Sequence, residues 1–460
     1  MKNKMLLTLA LGMVVGASPL LAGNVDVYLT GSTAFRASVF TACQKLFTTG
    51  SSTPTYFGDS AHGGDASDNA STAAWCMTGT PISTLTNIQG NTLIVHGLFT
   101  GSIQGIATVE NKTPLTWALP QGTLVSGTSY LCTNYVNHTP TIGFSDASGT
   151  ASPYLATGNF VEENVCVQPF VMVKSVGSGA AATALANITN VTWEQLEYGI
   201  PTGYIPLSVW TGNTNDVNTS IYLLQRTLDS GTRRCETAQE YYQYGDPVGV
   251  YIYDYTNHFW YSPTTLAATT FASSPNGVVG AAGLAGANLN WGYGYVGGGD
   301  IKNSLNNTGT NNTAISYLSI NDSKGVNTAG GNWANVMSFN GLWPTAAGVG
   351  IHGNTGTNDY TPITSGFYPC WGLEVLVHPI NPGLISDQTI SQTQLGSQTA
   401  PGSFLGVFNA QTVINGGSPV VGSIENEIEL SKTGSPGAVG IRLSDMHSNR
   451  ASVGGLIAPF

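Results

Sequence analysis

The chain has 460 residues, of which 8% are charged and 41% hydrophobic, with a formal net charge of −11. That length allows two or three domains and ample apolar material for a core. The acidic balance argues against nucleic acid as a partner, because phosphate-backbone binding needs a basic surface.

In chain order, the opening MKNKMLLTLALGMVVGASPLLA sets Lys2 and Lys4 before an apolar run that ends in small residues near Ala22. It reads as a secretory signal peptide over 1–22, too short in its apolar part for an ordinary spanning helix and followed by no lipoprotein cysteine. Its removal leaves 12 of the 14 basic residues against 25 acidic ones, a formal charge of −13. The expected location is periplasmic or secreted. Val25–Leu29 then predicts a strand, the polar loop Thr30-Gly31-Ser32-Thr33 follows, and Phe35, Val39, Cys43 and Leu46 recur at helical spacing. From about 48 to 91 the chain is rich in Ser, Thr, Gly and Asp, which predicts an inserted excursion. TLIVHG, LFTGS and IQGIATV repeat the order strand, loop, helix, and TIGFSD is a strand ending in a polar turn.

QPFVMVK, from Gln168, predicts an apolar strand, and TWEQLEYG a short helix after Asn187-Ile188-Thr189. SIYLLQR is a strand running into QRTLDSGTRR, and RRCETAQEYYQY continues as a helix. A glycine-rich tract precedes the helical GGDIKNSLNN, and AISYLSI and GLEVLVHP are later strands. Recurring strand–loop–helix units predict an α/β architecture with largely parallel strands, and no fixed repeat supports a solenoid or propeller.

Several motifs carry little. Gly292–Gly297 matches G-x-G-x-x-G, but no clear hydrophobic strand enters it, so it reads as a turn before a helix. The seven histidines form no H-x-H or H-E-x-x-H pattern, and His96 and His378 lie in apolar strands as core residues. No metal site is expected; Asp65 and Asp68 read as a solvated loop. There is no G-x-S-x-G elbow and no Walker loop. The six cysteines, Cys43, Cys76, Cys132, Cys166, Cys235 and Cys370, form no C-x-x-C pair; disulfides and buried free thiols both remain open. The closing ASVGGLIAPF does not alternate as an outer-membrane barrel strand would.

In QRTLDSGTRR, Ser230 can cap the coming helix, Gly231 lets an anion approach the backbone, and Ser230 and Thr232 add hydroxyls. Unpaired N–H groups at the helix start favour negative charge, and Arg226 supplies a planar fork suited to oxyanions. Arg233 reads as a solvated helix-surface residue. TGSTAFR and TGSIQG repeat the device, GFSDAS adds Asp146 at a strand end, and ligands of open α/β sheets gather beyond the carboxyl ends of strands.

On these residues the chain resembles the substrate-binding proteins of bacterial phosphate ABC transporters, over most of 25 to about 380. TGSTAFR, TGSIQGI, GFSDAS, QPFVMVK, NITNVTWEQLEYG, IPLSVWTGN, AISYLSI and above all R-T-L-D-S-G-T carry the likeness. The resemblance implies a two-lobed type II periplasmic-binding-protein fold with a hinge between the lobes. Lobe 1 would combine 23–168 with 341–460, including the 48–91 insertion and an extended C-terminal tail, and lobe 2 would span 169–340. It implies that Arg226 pairs with the anion while Ser230, Gly231 and Thr232 donate to it. Ser102 would donate from the second loop, Ser32, Thr33 and the Phe35 backbone from the first, and Asp146 would accept a proton of the ligand. Ala34 stands where many relatives have threonine. The expected function is capture of inorganic phosphate, or an arsenate-like oxyanion, by an exported monomer that delivers it to an ABC permease. No cofactor and no enzymatic activity are expected. The alternatives are a surface or matrix protein using the same fold for adhesion or sensing, and a phosphatase.

Overall fold

A computed structural model describes residues 23–48, 54–62, 73–152, 154, 158–239, 242, 246, 248–254, 259–261, 278–279, 294–295, 297–326, 335–345, 359–385, 387–411, 421, 423–425, 440–450 and 457–459. Residues 1–22, Asp65, Asp68, three of the six residues of Gly292–Gly297 and Phe460 lie outside them.

The first half runs β1 (Asn24–Gly31), α1 (Arg36–Gln44), β2 (Thr55–Gly58), β3 (Ala74–Gly79), β4 (Thr92–Leu98) and α2 (Ser102–Glu110). Four short strands follow, β5 (Leu115–Ala118), β6 (Gly122–Ser126), β7 (Ser129–Cys132) and β8 (Tyr135–His138), then β9 (Ile142–Ser145) and the long β10 (Phe160–Lys174). The chain continues through α3 (Gly179–Ala186), β11 (Asn190–Val191), α4 (Trp193–Thr202), β12 (Tyr204–Pro206), α5 (Ser208–Thr211), β13 (Ser220–Leu224) and α6 (Gly231–Gln239). Then come β14 (Ile252–Asp254), β15 (Phe259–Tyr261), β16 (Val278–Val279), β17 (Gly294–Tyr295), α7 (Gly298–Asn306), β18 (Ala314–Ser319), α8 (Ile320–Ser323), β19 (Val336–Phe339) and β20 (Trp371–Pro379).

The fold is mixed α/β. Among the described residues one fourteen-stranded sheet has the order β12-β13-β18-β10-β20-β9-β1-β4-β3-β2-β7-β6, with β19 against β10 and β11 against β19. The expectation of largely parallel strands holds only in part. β1 is parallel to β4 and β9, and β13 to β18, but β10 is antiparallel to β18 and β20, and β20 to β9. The reason is β10 itself. Its first part lies against β20 over Phe160–Pro169 and its second against β18 over Phe170–Lys174, so one strand joins the two parallel sets from between them. The excursion at 48–91 is also more ordered than its composition suggests. Tyr56 and Phe57 in β2 and Trp75 to Met77 in β3 are buried, and both strands extend the sheet beyond β4.

Two main cores result. One gathers Val27, Phe40, Val95, Phe144 and Phe408; the other gathers Val171, Leu223, Ile315, Tyr317 and Trp371. All six cysteines are buried, and no disulfide joins them. His96 is buried as expected, with Nδ1 donating to the Ala118 carbonyl at 2.8 Å and Nε2 3.1 Å from Asp26 Oδ1. Among the described residues no helix is long and apolar enough to cross a membrane.

The C-terminal segment is tied to β10 by Glu163. This buried carboxylate accepts from the Gln398 N–H at 3.1 Å and the Asn409 amide at 3.2 Å, and lies 3.5 Å from His378 Nε2. Burial works to raise the Glu163 carboxyl, but His378, the Gln398 N–H and Asn409 together hold it below its ordinary value. A depressed carboxyl contributes stability above its unfolded pKa of about 4.3, and that stability is lost as pH falls through the lower folded value. Glu163→Gln is therefore expected to lower the melting temperature at neutral pH, costing roughly 1.5–3 kcal/mol as a hydrogen-bonded charge is removed. The difference should shrink below pH 4; parallel curves for the two proteins down to pH 3 would contradict this assignment.

Candidate functional site

The C-terminal ends of β1, β4 and β9 lie side by side because β1 sits between the other two in parallel register. The Ser32 N–H donates to the Phe144 carbonyl and the Gly101 N–H to the Gly31 carbonyl, both at 2.9 Å, so the loops after these strands are laced together. Gly31, at φ +116°, is required here: a Cβ would stand 2.0 Å from the Phe144 carbonyl oxygen. From the other half, the loop after β13 arrives over α2, and the Ile103 N–H donates to the Asp229 carbonyl at 2.9 Å. Gly231 then lets the start of α6 press on both neighbours, since a Cβ would lie 2.8 Å from Ser102 Oγ and 3.1 Å from Asp146 Cβ.

Four loops thus meet around two opposite charges. Asp146 is 1% exposed. It accepts hydrogen bonds from Ser102 Oγ at 2.6 Å, Thr232 Oγ1 at 2.8 Å and the Ser32 hydroxyl. The three donors come from three separate elements, and Asp146 caps no helix among the described residues. Arg226 is 4% exposed; Nη2 donates to Thr33 Oγ1 at 3.1 Å, Nε to the Tyr295 carbonyl at 3.2 Å and Nη1 to Thr232 Oγ1 at 3.5 Å. The Thr232 hydroxyl therefore links the charges, donating to one and accepting from the other. Burial pulls the Arg226 guanidinium below its ordinary value, opposed by the fields of Asp146, Asp322 and Asp300, while Arg36 adds to the pull. Guanidinium remains charged in proteins even so.

All nine residues expected from the sequence fall in or against this cluster. Ser32, Ser102 and Thr232 meet Asp146; Thr33 and Thr232 meet Arg226; Gly231 seats α6 on Ser102. Two stand one step back. The Phe35 N–H is engaged by Ser32 Oγ at 3.2 Å, and its ring packs in the core beside Phe144. Ser230 Oγ accepts from the Arg233 N–H at 3.3 Å, the capping geometry its position suggested. The N–H groups of Ser102, Gly231 and Thr232 belong to first turns and have no preceding helical carbonyl to bond, and both helix starts lie beside Asp146, which the Ser102 and Thr232 hydroxyls reach.

Other residues at this site were not singled out from the sequence. Arg36, inside the quoted TGSTAFR, and Asp300 and Asp322, at the starts of α7 and α8, all reach Arg226 electrostatically. The GGD start of α7 was a legible signal, since Asp300 Oδ2 accepts the Gly297 N–H at 3.0 Å in a helix-capping arrangement. Arg233 corrects an expectation outright. It is buried, 3% exposed, not solvated, because its guanidinium turns inward and donates to the Arg226 carbonyl at 3.0 Å.

No family model and no curated protein matches the chain. Solved structures do show similarity. A Clostridium perfringens protein described as a phosphate ABC transporter substrate-binding protein, with bound phosphate, is 12% identical over 77% of this chain and 86% of its own, at a TM-score of 0.35. An ABC-type phosphate transport receptor from Vibrio cholerae is 15% identical over 77% of this chain and 86% of its own, at a TM-score of 0.33. PstS from Borrelia burgdorferi is 13% identical over 77% of this chain and 87% of its own, at a TM-score of 0.30.

Proposed function

We propose that the chain is an exported solute-binding protein that captures inorganic phosphate at the Asp146–Arg226 cluster for delivery to an ABC permease. The observation that carries this reading is a buried acceptor and a buried guanidinium joined through the Thr232 hydroxyl, with two helix starts beside them. Arg226 and the helix N–H groups favour an anion. Asp146 favours one that keeps a proton to donate, which phosphate does and sulfate does not. The hydroxyls of Ser32, Ser102 and Thr232 each have one proton, so one that turns from Asp146 to a ligand oxygen frees a lone pair of Asp146 for the proton the ligand brings. Capture is binding and release, with no bond made or broken, and a hinge in β10 between Pro169 and Phe170, where its partner changes from β20 to β18, would let the site open.

Calorimetric titration of the mature protein tests the reading. Phosphate and arsenate are expected to bind at least about 100-fold more tightly than sulfate, a difference of about 2.7 kcal/mol. Equal binding of all three, or of none, would overturn it.

A further inference from the structure

Behind the anion cluster lies a second buried charged group that capture itself does not use. Arg233 is fixed from two sides: Nη1 donates to the Arg226 carbonyl at 3.0 Å, and its N–H donates to Ser230 Oγ. Two positions on, Cys235 Sγ donates to the Asp146 carbonyl at 3.1 Å. Helix α6 therefore does more than present Ser230, Gly231 and Thr232; it also grips the backbone of both residues that carry the site's charge. Among the described residues, Asp229 from the preceding loop, half-buried, and Glu236 one turn along α6, 2% exposed, face Arg233. At a spacing of three, Arg233 and Glu236 share one helix face. Gln225 from the end of β13, 1% exposed, lies beside Glu236. Glu236 Oε1 is buried without a hydrogen-bond partner.

We propose that Arg233 and Glu236 form a proton-sensitive positioning pair for the anion site. With Glu236 protonated, Arg233 is left to hold the Arg226 carbonyl, and the guanidinium of Arg226 stays aimed at the ligand. With Glu236 ionised, the carboxylate draws Arg233 toward itself and adds a negative charge behind the site, so anion affinity falls. The change is placed in an accessible range, because burial pushes the Glu236 carboxyl up to about 8, against the opposing influence of Gln225 and Arg233. The sign follows: the neutral form holds below that value, and affinity is lost as pH rises through it.

This inference rests on the phosphate reading, and its test separates the two. Phosphate is titrated calorimetrically from pH 6.5 to 9.5 into the parent, Glu236→Gln, Arg233→Met and Arg233→Lys, with melting curves to confirm folding. The ligand's own ionisation is common to all four proteins. The parent is expected to lose affinity more steeply than Glu236→Gln above pH 7.5, by up to about tenfold per pH unit for one linked proton. Arg233→Met should weaken binding at pH 7 and flatten the same limb, and Arg233→Lys should recover part of the affinity. Identical pH profiles for the parent and Glu236→Gln would overturn the pairing while leaving capture standing. Failure of the parent to bind phosphate at any pH would overturn capture and this inference together.

Discussion

Arg226→Ala is expected to be the most damaging single change to anion binding. Removing one partner of a desolvated, hydrogen-bonded charge pair costs about 2–5 kcal/mol, or roughly 30- to 5,000-fold in affinity. The burial of Arg226 places it in that class rather than among exposed ion pairs, which are worth little. The loss has two parts. The ligand forfeits a planar double donor, and Asp146, Asp300 and Asp322 lose the positive charge that now offsets them. An anion would then enter a site whose three carboxylates are less well compensated. Arg226→Lys should recover only part of the affinity, because an ammonium cannot reach Thr33, Thr232 and the Tyr295 carbonyl together. Calorimetry with a melting curve for each variant decides the matter: a folded Arg226→Ala that titrates like the parent would place the site elsewhere.

The parts of this site legible in the sequence are those whose chemistry is local. Ser32-Thr33, Ser102 and Ser230-Gly231-Thr232 each stand between a strand pattern and a helix pattern. That alone fixes them at strand ends with hydroxyls and unbonded N–H groups exposed. Arg226 was legible for the same reason. Arg233 was not, because two arginines opening a polar helix look like a solvated face, and nothing in that pattern shows that one of them is buried and braces the Arg226 carbonyl. Glu236 was hidden by the same pattern.

The fold divides in a similar way. The apolar strands β1, β4, β13, β18 and β20 were visible as runs. The first half of β10 was not, because Glu162 and Glu163 interrupt its apolar pattern, and Glu163 is accommodated only through residues more than 200 positions away. The strands of the 48–91 excursion were masked by the surrounding Ser, Gly and Asp. A few buried aromatics, Tyr56, Phe57 and Trp75, were enough to seat them on a sheet already begun.

Asp146 is the residue on which ligand choice is expected to turn. A carboxylate beside a bound oxyanion repels it unless a proton is shared, and like-charge juxtaposition costs several kcal/mol in a closed site. Phosphate and arsenate carry such a proton at neutral pH; sulfate would meet Asp146 lone pair to lone pair. Asp146 itself stands in the bend that follows β9. Its partners are hydroxyls from the loops after β1 and β4 and from the first turn of α6, none of them local in sequence. Asp146→Asn keeps an acceptor for these hydroxyls, removes the charge and adds a donor. Sulfate binding should rise while phosphate binding weakens modestly, narrowing the phosphate-to-sulfate ratio by at least about tenfold, one step of 1.4 kcal/mol. Because Asn preserves most of the hydroxyl contacts, the melting temperature should change far less than the ratio. Titration of both proteins with both anions measures this directly. An unchanged ratio would mean that Asp146 organises the three loops without reading the ligand's proton, and selectivity would then have to come from the Arg226 side of the site.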